Sequence, residues 1–203
     1  PKSPTPSIKT SSKSSSLTKS ESLSCSEISI DCFKSIKCID FNKLYASGKR
    51  IIISDLDNTL LPYHYEKATD DLIKWKEELT KTGFKFYIIT NNNDKRIKRL
   101  LPSFNIDGYL VKAKKPSPKR LLNYLDELNI KKEETVFLGD QLVTDILCAN
   151  KAGIDSILVK TIDYKCQKWY TKINRLREIF ILKKMLKIDK DKAESILKFK
   201  EKN

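Results

Sequence analysis

Between Arg50 and Val159 the chain alternates short apolar runs with longer amphipathic ones, and this rhythm restricts its fold more than any other feature. The Ile-rich run Arg50 to Ser54 is strand-sized, as are Phe84 to Ile89, Gly108 to Val111, Thr135 to Leu138 and Ser156 to Val159. Helical patterns lie between them. Thr69 to Thr82 places Leu72, Ile73, Trp75 and Leu79 at helical spacing and stops at Gly83; Asp94 to Leu101 is stopped by Pro102. Ser117 to Leu128 follows Pro116, and Gln141 to Lys151 is closed by Gly153. Strands separated by single helices and short loops demand right-handed parallel crossovers, so the predicted class is α/β: a doubly wound parallel sheet with helices on both faces. Upstream, Ile28 to Ile39 is mixed, and Asp40 to Gly48 reads as a short helix with Asp40 as N-cap and Gly48 as stop.

In such a sheet the site lies at the carboxyl ends of the strands, so the residues just after each strand belong together. They are Asp55-Leu-Asp57-Asn-Thr59, Thr90-Asn91-Asn92, Lys114-Lys115-Pro116, and Gly139-Asp140-Gln-Leu-Val-Thr-Asp145. Three or four carboxylates, one hydroxyl and one lysine converging on one crevice suit phosphoryl transfer. A hard divalent cation needs oxygen ligands, phosphoryl oxygens need cationic and hydroxyl donors, and one carboxylate is left to attack. Carboxylates two apart on an extended segment point the same way, so Asp55 and Asp57 can both face a substrate. Asp-Asn-Thr after a strand is also ordinary cap and turn chemistry, as is Gly139-Asp140. Two aspartates closing an Ile-rich strand are nevertheless a costly arrangement without a cation. His64, in the Pro62-Tyr-His-Tyr65 loop, reads as an exposed loop residue, and Lys114 as a solvated charge.

The ordered set DxDxT (Asp55 to Thr59), Thr90, Lys115 before proline and GDxxxxD (Gly139 to Asp145) resembles the haloacid dehalogenase (HAD) superfamily of aspartate-nucleophile phosphatases over about Arg50 to Val159. Asp55 to Leu60, Asn91-Asn92-Asn93, Lys112 to Pro116, Gly139 to Asp145 and Asn174-Arg175 further look like its YqeG branch. That branch is similar to mitochondrial and plastid phosphatidylglycerophosphate phosphatases. The resemblance implies a HAD-like, Rossmannoid fold and Mg²⁺ as cofactor. It casts Asp55 as the nucleophile that forms an aspartyl-phosphate and as a metal ligand. Asp57 would protonate the leaving oxygen and then activate water, its backbone carbonyl reaching the metal. Thr90 and the amide of Asn91 would hold the phosphoryl group, Lys115 would neutralise it and orient Asp55, and Asp140 would complete the metal shell, with Thr59 and Asp145 supporting.

Spacing bears on the substrate. Thr59 and Thr90 are separated by 30 residues, and Thr90 and Lys115 by 24, each consumed by a helix and a strand. No room is left for a cap domain, and an open site suits a phosphate on something bulky or lipid-anchored. The net charge of +14 is uneven: +5 in residues 1–50, +1 in 51–159 and +8 in 160–203. Basic flanks attract anionic surfaces, either acidic lipid or nucleic acid. Leu176, Ile179, Phe180 and Leu186 lie at near-helical spacing among Lys172, Arg175, Arg177, Lys183, Lys184 and Lys187. They read as a basic amphipathic helix that lies on an anionic membrane or docks its apolar face on the core. No apolar run is long enough to span a bilayer. The five cysteines form no CxxC pair and one histidine is present, against a disulfide scaffold or a structural zinc site and for a reducing compartment.

The expected organisation is a disordered Ser/Lys-rich tail over 1–27, a phosphatase domain over 28–188 and a charged tail over 189–203. The expected location is cytoplasmic, peripheral at the inner membrane face, or the mitochondrial matrix or plastid in a eukaryotic source. The competing functions are a phosphatase of nucleotides or nucleic-acid ends, and a non-catalytic scaffold that binds RNA or protein.

Overall fold

The structure, a computed structural model, describes residues 30–163, 177–180, 182–183 and 190–201. The expected tail over 1–27 lies outside them. Six strands form one sheet: β1 (Ile30–Phe33), β2 (Ile51–Ser54), β3 (Lys85–Ile89), β4 (Gly108–Leu110), β5 (Thr135–Gly139) and β6 (Asp155–Val159). Their order is β1-β6-β5-β2-β3-β4, and every pairing is parallel. β1 was not expected. It falls in the mixed segment and exists through pairing with β6, Ile30 opposite Ser156 and Phe33 opposite Val159.

The helices are α1 (Phe41–Ala46), α2 (Asp70–Thr82), α3 (Asp94–Leu100), α4 (Lys119–Glu127), α5 (Leu147–Ala152) and α6 (Lys190–Glu201). Asp40 caps α1 by accepting the Lys43 amide at 2.9 Å. Thr69 caps α2, which ends at Gly83 with φ +100°, a left-handed turn that glycine adopts without strain. Successive residues of β2 face opposite sides of the sheet. Ile52 packs with Leu72, Trp75 and Leu79 of α2 and Ile97 and Leu100 of α3. Ile51 and Ile53 pack with Leu121 and Leu125 of α4 and Cys148, Ala149 and Ala152 of α5. The sheet is therefore covered on both faces, as all-parallel sheets must be.

Residues 189–203 read as a charged tail, yet 190–201 form α6. Its Ala193 and Ile196, three apart, are buried against Leu142, Ile146, Leu158 and Leu182. Residues 177–180 and 182–183 are helical, but the apolar stripe expected there does not face inward. Glu178 and Leu182 are buried, whereas Ile179 is 51% and Phe180 75% exposed. The rest of the expected Trp169 to Ile188 helix lies outside the described residues. No helix among the described residues is long and apolar enough to cross a membrane. Cys38 and Cys148 are free thiols.

Candidate active site

Strand register assembles the site. Ser54 pairs with Ile88 on one side and Leu138 on the other, so β2, β3 and β5 end almost level and release Asp55, Thr90 and Asp140 into one crevice. The first residue beyond β2 stays tied to the sheet, the Asp55 amide donating to the Leu138 carbonyl at 2.9 Å. Asn58 then turns the chain with φ +66°, a conformation asparagine tolerates.

Lys115 is the hub. Its Nζ donates to Asp55 Oδ1 and Asp145 Oδ1, both at 2.6 Å, and to the Ile89 carbonyl at 3.0 Å, with the side chain 2% exposed. Of the two neighbouring lysines this is the one inside; Lys114 is exposed at φ +59°. The selection is made by Asn91, whose Oδ1 accepts the Lys115 amide at 2.8 Å while its Nδ2 donates to the Lys115 carbonyl at 3.1 Å. The Lys115–Pro116 peptide is cis. Thr90 is buried beside them, its Oγ1 accepting the Asn92 amide at 3.1 Å.

Asp140 is held by two hydroxyls: Thr59 donates to Oδ1 at 3.3 Å and Thr161 to Oδ2 at 2.9 Å. Asp145 is reached differently from the expected continuous helix. Residues Leu142–Ile146 form a π-helical turn ahead of α5, a feature that recurs at functional sites, and Asp145 Oδ2 accepts the Gln141 amide at 3.1 Å. Gly139 makes the space, since a Cβ there would stand 2.2 Å from the Asp145 Cβ.

Asp55, Asp140 and Asp145 are all buried and offer oxygens within 4.8 Å of one another, a donor set suited to a hard divalent cation. Electrostatics agree with that fit. Burial above all, partly offset by Lys115 and reinforced by Asp145 and Asp57, pushes the Asp55 carboxyl up to about 7. Burial, then Asp145 and Asp55, drives Asp140 well above the usual carboxylate range. Burial would lower the Lys115 ammonium, but Asp145 and Asp55 outweigh it and hold it above its ordinary value. One buried lysine is thus shared among more carboxylate charge than it can neutralise.

Asp57 stands apart from that cluster. Its Oδ1 accepts Arg96 Nε at 3.0 Å and its Oδ2 accepts Asn92 Nδ2 at 2.5 Å. The eight residues singled out from the sequence, Asp55, Asp57, Thr59, Thr90, Asn91, Lys115, Asp140 and Asp145, all lie at this crevice. Arg96 and Thr161 were not singled out, and Asn92 had no assigned role. The available signal for Arg96 was its place in the first turn of α3, where the helix dipole disfavours a cation. His64 is exposed in its loop, 3.6 Å from Asp163.

Known proteins resemble this chain in sequence. The profile of the family described as "Haloacid dehalogenase-like hydrolase" matches residues 63–159. "Probable phosphatase YqeG" of Bacillus subtilis (strain 168) is 38% identical over 149 residues, covering 73% of this chain and 86% of that protein. The chain belongs to the haloacid dehalogenase-like hydrolases. Its similarity within them is to the YqeG type. The profile begins after Asp55 and Asp57, so these two rest on the motif and the geometry described above. A phosphoglycolate phosphatase of Colwellia psychrerythraea is 32% identical over 133 residues, of which this hydrolase spans 58% of the length. Among solved structures, an uncharacterized protein from Listeria monocytogenes serotype 4b aligns with a TM-score of 0.47 and 23% identity, over 59% of this chain and 85% of that one.

Proposed function

We propose that this phosphatase hydrolyses phosphomonoesters through an aspartyl-phosphate on Asp55, with Mg²⁺ as cofactor and phosphatidylglycerophosphate as its substrate. The carrying observation is the buried Lys115 bridging Asp55 and Asp145, next to Asp140, at the ends of adjacent strands. Asp55, Asp140 and the backbone carbonyl of Asp57 would hold Mg²⁺, with Asp145 behind them; the ion supplies charge neutralisation at the phosphoryl oxygens.

The protein's own residues perform the rest. Lys115 pins the Asp55 carboxylate through Oδ1 and offsets charge on the arriving phosphoryl group, which the Thr90 hydroxyl and the Asn91 amide receive. A carboxylate oxygen of Asp55 attacks phosphorus and the bond from phosphorus to the leaving oxygen breaks. That oxygen takes a proton from Asp57. Water then attacks the same phosphorus, its proton passes to Asp57, and inorganic phosphate and free Asp55 are released.

Two features support a bulky, lipid-anchored substrate. Residues 59–90 and 90–115 contribute elements of the core fold and no inserted domain over the crevice. Exposed Ile179 and Phe180 lie between exposed Arg177 and Lys183, a pairing of apolar and cationic groups that suits an anionic membrane surface. The reading places the enzyme peripherally at such a surface. The charge of the flanks favours a second reading, a phosphatase of nucleotides or nucleic-acid ends.

The test is Mg²⁺-dependent phosphate release from a panel of phosphorylated lipids, nucleotides and sugars, with wild type and Asp55→Asn. Preferential release from phosphatidylglycerophosphate, lost in the variant, supports the proposal. Preference for nucleotides or oligonucleotide ends would replace it with the second reading.

A further inference from the structure

Arg96 combines three features that each disfavour the folded state. Its side chain is 10% exposed, so a guanidinium is desolvated; its Nη1 is buried without a hydrogen-bond partner; and it occupies the first turn of α3 against the helix dipole. Its contacts are Nε to Asp57 Oδ1 at 3.0 Å and a long bond from Nη2 to the Pro62 carbonyl at 3.4 Å. A buried ion pair of this kind is weak support for stability, and apolar replacement of such pairs is often neutral or stabilising. Its place beside Asp57, in spite of these costs, therefore points to the work of Asp57.

We propose that Arg96, together with Asn92, is a positioning residue for the proton that Asp57 delivers. The inference rests on the aspartyl-phosphate reading above. Each carboxylate oxygen has two acceptor positions. Arg96 occupies one on Oδ1 and Asn92 one on Oδ2, so the plane of the carboxylate is fixed and the proton carried on a remaining position keeps one direction. As the bond from Asp55 to phosphorus forms and the bond to the leaving oxygen breaks, that proton passes from Asp57 to the leaving oxygen. Arg96 and Asn92 keep all of theirs. Without the clamp the carboxyl rotates, and the misalignment is felt where the leaving group needs a proton.

The experiment compares kcat/KM with Mg²⁺ for p-nitrophenyl phosphate, whose phenolate departs without a proton, and glycerol phosphate, whose alkoxide does not. This ratio reports the steps up to departure of the leaving group, so the later attack of water does not enter. Arg96→Met should lower kcat/KM for glycerol phosphate about 10²-fold more than for p-nitrophenyl phosphate, whatever fall in Tm follows from leaving Asp57 without its cation. Asn92→Leu should shift the ratio in the same direction, and decides the matter if Arg96→Met folds poorly. Equal losses on both substrates, or a lowered Tm with an unchanged ratio, would give Arg96 a structural role and overturn the proposal. Phosphate release by Asp55→Asn would instead overturn the aspartyl-phosphate reading, so the two failures are distinct.

Discussion

Replacing Asp55 by Asn should abolish turnover yet make the metal-free protein more stable at alkaline pH. The Asp55 carboxyl is pushed from 3.8 up to about 7, chiefly by burial. The folded chain thus retains a proton that the unfolded chain has already released. Stability is unaffected by this group below the unfolded value, falls as pH rises between the two, and stays lowered above the folded one. A shift of this size corresponds to at most about 4 kcal/mol. That shift already contains the attraction of Lys115, which works against burial, and in the variant Lys115 keeps Asp145 at 2.6 Å and the Ile89 carbonyl at 3.0 Å. The gain above the folded value is therefore at most about 4 kcal/mol, or up to about 8–16 °C in Tm for a chain of this size. Thermal melts in EDTA at acid and alkaline pH measure it: the wild-type Tm should fall with pH more steeply than that of the variant. Phosphate release should drop at least about 10⁴-fold. A variant less stable than wild type at alkaline pH, with the same pH slope, would refute the view that the carboxylate cluster is electrostatically overloaded.

Lys115→Met leaves Asp55 and Asp145 buried without their cation and should cost about 3–5 kcal/mol in urea unfolding at alkaline pH, as well as activity; a near-neutral result would show that the cluster does not need the lysine. EDTA should abolish phosphate release and Mg²⁺ should restore it, while excess Ca²⁺, with longer bonds and more ligands, should inhibit, as a colorimetric phosphate assay will show. Changing Ile179 and Phe180 together to Ser should weaken sedimentation with anionic vesicles while leaving hydrolysis of a soluble phosphomonoester near wild type, since neither residue touches the crevice; loss of both would tie these residues to the fold.

The central sheet was legible because buried parallel strands are short and continuously apolar, while the helices between them carry caps and stops such as Thr69, Gly83 and Gly153. β1 was not, because Ile30 to Phe33 has no period of its own and becomes a strand through β6. α6 was obscured by its charge; Ala193 and Ile196 are a narrow buried stripe. In the 177–183 segment Glu178 turns inward because its carboxylate accepts the Leu142 amide at 2.8 Å, so the stripe expected through Ile179 and Phe180 points outward. At the site, the aspartates and Lys115 were legible from position relative to strand ends. Arg96 and Thr161 were not, since their partners Asp57 and Asp140 lie 39 and 21 residues away and nothing local marks the pairing.

The parallel direction of β1 settles how this protein is best handled. Ile30 starts at the end of the sheet opposite the crevice and Phe33 finishes at the crevice end, about 10 Å of strand apart. After β6 the chain runs the other way round, Thr161 touching Asp140 and the Ile162 amide bonding to the Asn58 carbonyl. A resin, fluorophore or fusion partner joined ahead of Ile30 therefore starts out behind the catalytic rim, whereas one inserted just after Val159 starts beside it. Surface capture for substrate screening should join the support directly ahead of Ile30, with large vesicles then free to approach the opposite face.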